Sequence, residues 1–334
     1  ADVEKDAQWL EVEGELNLGY DFERLWFKQE LEAEKTGDWV LQVPYPLLDY
    51  LDFYLFDDDK LLYEIHTGDA LPISQKALRV NDFVFGLSGE SGKHYKVIGR
   101  ISTQGTLMLP IRWRTEEGYA EQLAIDQTIY GVFYGVLIIM ALYHFFIFLV
   151  IRERGYLLYV LSVAALVVLQ LTFDGRGFAW FWPETPEINR YSFPFAYSVY
   201  LLAIFSFMTE FLKLKDNALV LYRLFLVLRI ICVAFLLSIL STPYNIIVPA
   251  IVITAIVGLL SGLLSGAYLW YKGFTPARFF TYAWLMFLCG ILLLNFRGLG
   301  VGDTNIVSQY GYLMGAILEV LFLAFSLADR IKST

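Results

Sequence analysis

Two runs alternate strictly between apolar and polar residues. In 93–102, Tyr95, Val97 and Ile101 fall on one side and His94, Lys96, Ile98 and Arg100 on the other. In 106–114, Leu107, Leu109, Ile111 and Trp113 oppose Arg112 and Arg114. Strands with this period bury the apolar side and present a basic one. Beside an aromatic ring such as Tyr54 or Trp26, these cations suit a sugar or an anionic glycan. Charge-assisted hydrogen bonds take its polar groups and the ring takes its apolar face. Asp69, in the turn Gly68-Asp69, joins Tyr54, His94, Lys96, Arg100 and Arg112 as a candidate ligand-binding residue. A solvated face balancing nearby acids accounts for the same pattern. Asp57-Asp58-Asp59 has the oxygen donors that Ca²⁺ requires, though an acidic hairpin turn is their commoner use.

A second set of ionisable residues lies inside long apolar stretches. Glu319 and Arg229 sit near the middle of two of them, and His144 lies in the inner half of another. A carboxylate in such a place needs a partner or a proton. Arg229 or His144 is expected to provide the partner. The group then acts either as fixed packing or as a polar switch.

Other chemistry is excluded. His66, His94 and His144 are too scattered for a metal cluster. No apolar stretch has a central lysine for a Schiff base. Gly300-Val301-Gly302-Asp303 mimics an intramembrane aspartyl protease motif, but without a second embedded aspartate to share a proton. No catalytic residue, cofactor or metal site is expected.

The elements that would hold these residues differ between the two parts of the chain. Of 334 residues, 57% are hydrophobic and 18% charged, which points to a membrane protein. Residues 1–123 hold 12 Lys/Arg against 24 Asp/Glu, and 124–334 hold 13 against 10, so a domain boundary is expected near 123. An acidic outer domain repels nucleic acid. Turn residues divide it into eight strands, about 8–17, 24–32, 38–44, 49–57, 60–66, 79–87, 93–102 and 106–114, which suits an all-β jelly-roll sandwich. The second part reads as an all-α bundle of seven spans, at 124–151, 155–173, 190–212, 217–240, 244–271, 275–297 and 305–329.

Arg152, Arg154, Lys213, Lys215, Lys272, Arg278, Arg330 and Lys332 cluster on one side and mark it as cytoplasmic. The β domain then lies outside, its mature start at Ala1 following a removed signal peptide. Glycine rows at 131/135, 258/262/266 and 311/315 let helices approach closely, within one bundle or in a homodimer.

The ordered set of motifs resembles the bacterial seven-transmembrane receptors with diverse intracellular signalling modules. Gly131 to Gly135 running on to His144, Arg152 to Tyr159, Gly315 to Glu319, and Ser326 to Arg330 carry the helical likeness. Trp39–Gln42, Leu51–Phe56 and Thr67–Pro72 resemble the second type of extracellular domain in that family. The resemblance implies a jelly-roll sensor for a periplasmic carbohydrate or small molecule. It also implies the bacterial inner membrane and a cytoplasmic effector, such as a diguanylate cyclase or histidine kinase, beyond Thr334. A transporter or channel whose outer domain captures substrate is the alternative reading.

Overall fold

The computed structural model describes residues 9, 16–19, 24–57, 60–76, 80–298 and 306–333. Strands β1 (Leu16–Gly19), β2 (Leu25–Glu32), β3 (Gly37–Val43), β4 (Tyr50–Asp57), β5 (Lys60–Thr67), β6 (Phe83–Gly89), β7 (His94–Ser102), β8 (Leu107–Leu109) and β9 (Arg112–Thr115) form the first part. Their antiparallel sheets run β2-β7-β4-β5, β6-β3-β9 and β1-β8. The inward residues of the two larger sheets, among them Phe27, Phe53, Leu41 and Phe85, share one core. Gly99 of β7 is fixed by that packing, because a Cβ there would lie 2.1 Å from the Phe27 ring.

The expected first strand lies mostly outside the described residues. The expected strand 106–114 is interrupted at Pro110, which has no N–H for a ladder. Its halves separate: β8 pairs with β1 and β9 pairs with β3.

The helices are α1 (Glu116–Ile151), α2 (Arg154–Phe173), a short α3 (Arg176–Phe181), α4 (Asn189–Phe211), a short α5 (Leu214–Asn217), α6 (Leu219–Ser238), α7 (Tyr244–Tyr271), α8 (Ala277–Gly298) and α9 (Ile306–Ser333). Helix α4 is central, packing on α2, α6 and α7, while α9 packs on α8, α1 and α2. Large apolar side chains such as Val150, Val220, Leu237 and Leu240 point outward, as lipid-facing residues do.

Six helical stretches among the described residues are long and apolar enough to cross a bilayer: Glu116–Ile151, Arg154–Phe173, Pro186–Phe211, Leu219–Ser238, Tyr244–Tyr271 and Tyr310–Asp329. Helix α8 occupies the place of the expected sixth span. Its described apolar part, Ala277–Leu293, falls short of the about 20 residues that a span needs, so six crossings are shown and the seventh is not.

The glycine rows divide. Gly258, Gly262 and Gly266 lie against Phe205, Met208 and Phe280, and Gly311 lies against Leu293. Gly315 meets Gly290 backbone to backbone, a Cβ at Gly315 falling 2.9 Å from the Gly290 Cα. Gly131 and Gly135 have nothing within 4 Å of the Cβ position, so this row packs against no helix among the described residues.

Gly315→Leu should therefore separate α8 from α9 and cost at least about 2 kcal/mol, as overpacking does when backbone is the neighbour. Gly135→Leu should change stability little. Thermal unfolding of the detergent-solubilised chain checks both.

Candidate functional site

One cluster is on the outer face of the four-stranded sheet. The register places Trp26, Arg100, Asp52 and His66 in a row across β2, β7, β4 and β5. Asp52, almost fully buried, accepts from Arg100 Nε at 2.6 Å, and His66 Nδ1 lies 2.6 Å from its other oxygen. The guanidinium is thereby fixed 5.9 Å from the Trp26 ring. Tyr54 stacks on Trp26 at 6.4 Å and meets His66 edge-on at 6.2 Å. Lys96 lies over Phe56, and exposed His94 ends the same face opposite Glu32.

Four candidates, Tyr54, His94, Lys96 and Arg100, thus share a surface. Asp52 and His66 were not among the sequence candidates, although their spacing along β4 and β5 places them on this face. Arg112 is not part of it. Once the chain breaks at Pro110, β9 joins the other sheet and its polar side faces the helices. Of the acidic run, Asp57 pairs with Lys93 at 3.3 Å, and Asp58 and Asp59 lie outside the described residues.

A second cluster forms where the β domain sits on the bundle. Val40 and Val84, on the outward side of β3 and β6, pack with Tyr119 of α1. The segment after β5 crosses the α2–α4 connection. Ile73 N–H donates to Pro183 O at 2.9 Å, Ser74 Oγ to Glu184 at 2.8 Å, and Asn81 Nδ2 to Asp174 O at 3.0 Å. Gly175 adopts φ +72° with Pro46 against it; a Cβ there would lie 2.7 Å from the Pro46 Cβ.

Two cavities lie along this junction. The smaller, about 370 Å³, is lined by Asp49, Asp69, Gln104, Asn189 and Arg190, among others. Asn189 Nδ2 donates to Asp69 O at 2.8 Å, tying this candidate residue to α4. Gly68 allows the approach, its Cβ position lying 1.9 Å from Asp49 O, and the Asp49 and Asp69 carboxyls hydrogen-bond each other. Enclosure by protein pushes both above the usual carboxylate range, and the Asp49 charge adds to the effect on Asp69. Burial brings Lys76 down to about 8, against the pull of Asp69 and Asp82.

The larger cavity, about 1000 Å³, is lined by Arg112, Asp82, Asp126, Tyr130, Asp174 and Arg176 among others. Arg176 Nη1 pairs with Asp174 at 2.9 Å, its guanidinium lies 3.7 Å from the Tyr130 ring, and Tyr134 OH donates to Asp174 at 2.7 Å. Tyr130 OH meets Tyr312 OH at 2.9 Å, and Tyr310 OH bonds Asp126. One polar network therefore links α1, α2, α3 and α9 beneath the β domain.

Deeper in the bundle, Glu319 is 1% exposed and its Oε2 has no hydrogen-bond partner. Its electrostatic neighbours are Tyr159 of α2 and Tyr200 of α4. Tyr159 OH donates to Val320 O at 2.9 Å, and the His144 ring lies 4.5 Å from that of Tyr159. His144 thus reaches the cluster only through Tyr159, its own Nδ1 lying 2.9 Å from Met140 O. Arg229 does not supply the expected partner. It lies on α6, which packs on α4, α5 and α7, while α9 packs on α8, α1 and α2.

A β domain seated on helices long and apolar enough to cross a bilayer defines a multi-pass membrane protein with a β domain outside its spans. A family model described as "7TM diverse intracellular signalling" matches residues 126–330, and one described as "7TMR-DISM extracellular 2" matches residues 1–115. The chain belongs to this family of seven-transmembrane receptors with diverse intracellular signalling modules, and its N-terminal domain is extracellular. No curated protein is significantly similar to it.

The Asp49–Asp69 pair makes junction stability depend on pH. With both carboxyls raised, the folded chain holds more protons than the unfolded one above the ordinary carboxylate range, so stability falls as pH rises. Lys76 opposes this only above about pH 8, where its folded form holds fewer protons. The thermal midpoint should drop as pH rises above the ordinary carboxylate range, and Asp69→Asn should flatten that dependence. An unchanged slope in the variant would assign the titration elsewhere.

Proposed function

We propose that this transmembrane sensory receptor takes a carbohydrate or other small molecule on the outer face of β2-β7-β4-β5 and relays the event through α1 to a cytoplasmic signalling module. The observation that carries the reading is the Trp26–Arg100–Asp52–His66 row. A guanidinium clamped by a buried carboxylate keeps a fixed direction, so its remaining N–H groups meet a ligand without losing much side-chain entropy. Trp26 and Tyr54 add a flat apolar platform beside it, the combination a polyhydroxylated ring requires.

The chain itself performs no catalysis in this reading and needs no resident cofactor. Its setting is a bacterial cytoplasmic membrane. Arg152, Lys213 and Lys272 in the connections, Arg154 at the start of α2 and Lys215 in the short α5 all lie at the bundle end remote from the β domain, which supports a cytoplasmic side there. Glu319, with Tyr159, Tyr200 and His144, is the proposed polar switch, because a buried carboxyl with an unsatisfied oxygen favours whichever helix arrangement pairs it.

The test is binding of neutral and uronic-acid-containing oligosaccharides to the full chain in nanodiscs. Tyr54→Ala and Arg100→Gln should each weaken binding about tenfold, the scale of one stacking or charge-assisted contact; the thermal midpoint should hold in Tyr54→Ala and fall in Arg100→Gln, which leaves buried Asp52 without its guanidinium. Undiminished binding in both variants would move the ligand site off this face.

A further inference from the structure

The larger junction cavity has a shape and position that the receptor reading does not use. Helix α1 has 36 residues, about 54 Å at 1.5 Å per residue, against a hydrocarbon core of about 30 Å. Counting about 20 residues back from Ile151, where Arg152 marks the inner boundary, places the outer hydrocarbon boundary near Gly131. Asp126 and Tyr130 then stand at headgroup depth, and Ile138 stands within the hydrocarbon.

Asp126, Tyr130, Gly131 and Ile138 all line the cavity, together with Trp180 and Phe181. Those two aromatic side chains are 62% and 67% exposed, as belt residues at a lipid interface are. The lining is therefore polar at Arg112, Asp82, Asp126, Asp174 and Arg176 and apolar at Ile138 and Val167, and Ile138, at hydrocarbon depth, is 49% exposed. Gly131, two turns before Ile138 on the same helix face, is exposed, and its Cβ position meets nothing within 4 Å.

The polar wall carries both signs: Arg112 and Arg176 on one hand, Asp82, Asp126 and Asp174 on the other. Since Asp174 is engaged by Arg176, the wall still presents carboxylates and guanidinium groups side by side. A purely anionic headgroup would face the carboxylates, whereas a zwitterionic one offers a phosphate to the arginines and a cation to the carboxylates.

We propose that the cavity holds one glycerophospholipid of the outer leaflet, its phosphate toward Arg112 and Arg176 and a primary ammonium toward Asp82 and Asp126. Its acyl chains leave over Ile138 and Val167 into the bilayer. The lipid would bridge the extracellular domain and α1, α2 and α9 independently of any ligand on the outer sheet face.

The test is native mass spectrometry of the full chain released from nanodiscs that contain an aminophospholipid and an anionic phospholipid in equal amounts. The wild-type chain should retain one aminophospholipid in preference to the anionic one. Gly131→Phe, whose Cβ position is open and whose ring would occupy that side of the cavity, should lower that retention about tenfold. Gly135→Phe, equally unhindered but outside the cavity, should leave retention unchanged. Asp126→Asn should shift the preference toward the anionic lipid. The proposal is overturned if no lipid is retained, if the anionic lipid is preferred by the wild type, or if Gly131→Phe retains as much as wild type. It is also overturned if Gly131→Phe only converts a dimer to a monomer, since that face would then belong to a second copy of the chain.

Discussion

Thr115 belongs at once to a sheet and to a helix. It closes the β3–β9 ladder opposite Trp39, and its hydroxyl accepts from Gly118 N–H at 3.2 Å as the N-cap of α1. Glu116 and Glu117 follow in the first turn, where carboxylates favour the helix dipole. No flexible linker separates the extracellular domain from the first membrane helix. A rotation of the β6-β3-β9 sheet is therefore also a tilt of α1. The Val40–Val84–Tyr119 cluster and the α2–α4 connection beneath Ile73 hold the rest of the domain to that geometry.

Such rigid coupling sets the demands on the interface. Its groups are polar and enclosed, so each must be satisfied in the docked arrangement or be costly. Asp174 shows how this is met, taking Arg176 and Tyr134 on its carboxylate and Asn81 on its carbonyl. Gly175, left-handed and pressed on Pro46, lets the chain turn at once into α3. Helix α9 enters the same network through Tyr310 and Tyr312, so the first and last helices share one set of hydrogen bonds directly under the β domain.

Period and hydropathy carried most of the architecture into the sequence. β2 through β7 lie close to where alternation placed them, because each has one face in a common core and a one-residue slip would expose it. The split at Pro110 was not legible, since alternation continues through it and only the missing N–H separates β8 from β9. That split decided the fate of Arg112, outward as expected but toward helices instead of solvent. Asp52 and His66 were overlooked for the reverse reason: they matter through cross-strand neighbours on β7 and β4, which no spacing within one strand reveals. Arg229 was paired with Glu319 on depth alone, and depth does not say which helices touch.

Glu319 shows what a rigid outer junction asks of the membrane half. In the proposed reading, a ligand on the outer sheet would shift the bundle by no more than its differential affinity for two arrangements, a few kcal/mol at most. A tightly interlocked core would absorb that, as aromatic stacking around Phe207, Phe211 and Phe280 does at the centre. The α2–α9 contact is different. There Tyr159 holds α9 through one hydrogen bond to Val320 O, and beside it a buried carboxyl oxygen and the Tyr200 hydroxyl both lack partners. Unsatisfied groups of this kind raise the energy of the arrangement that contains them and narrow its gap to any alternative that pairs them. Among the described residues, the α2–α9 contact is thus a place where a shift of one helix against another meets polar groups that the present packing does not satisfy.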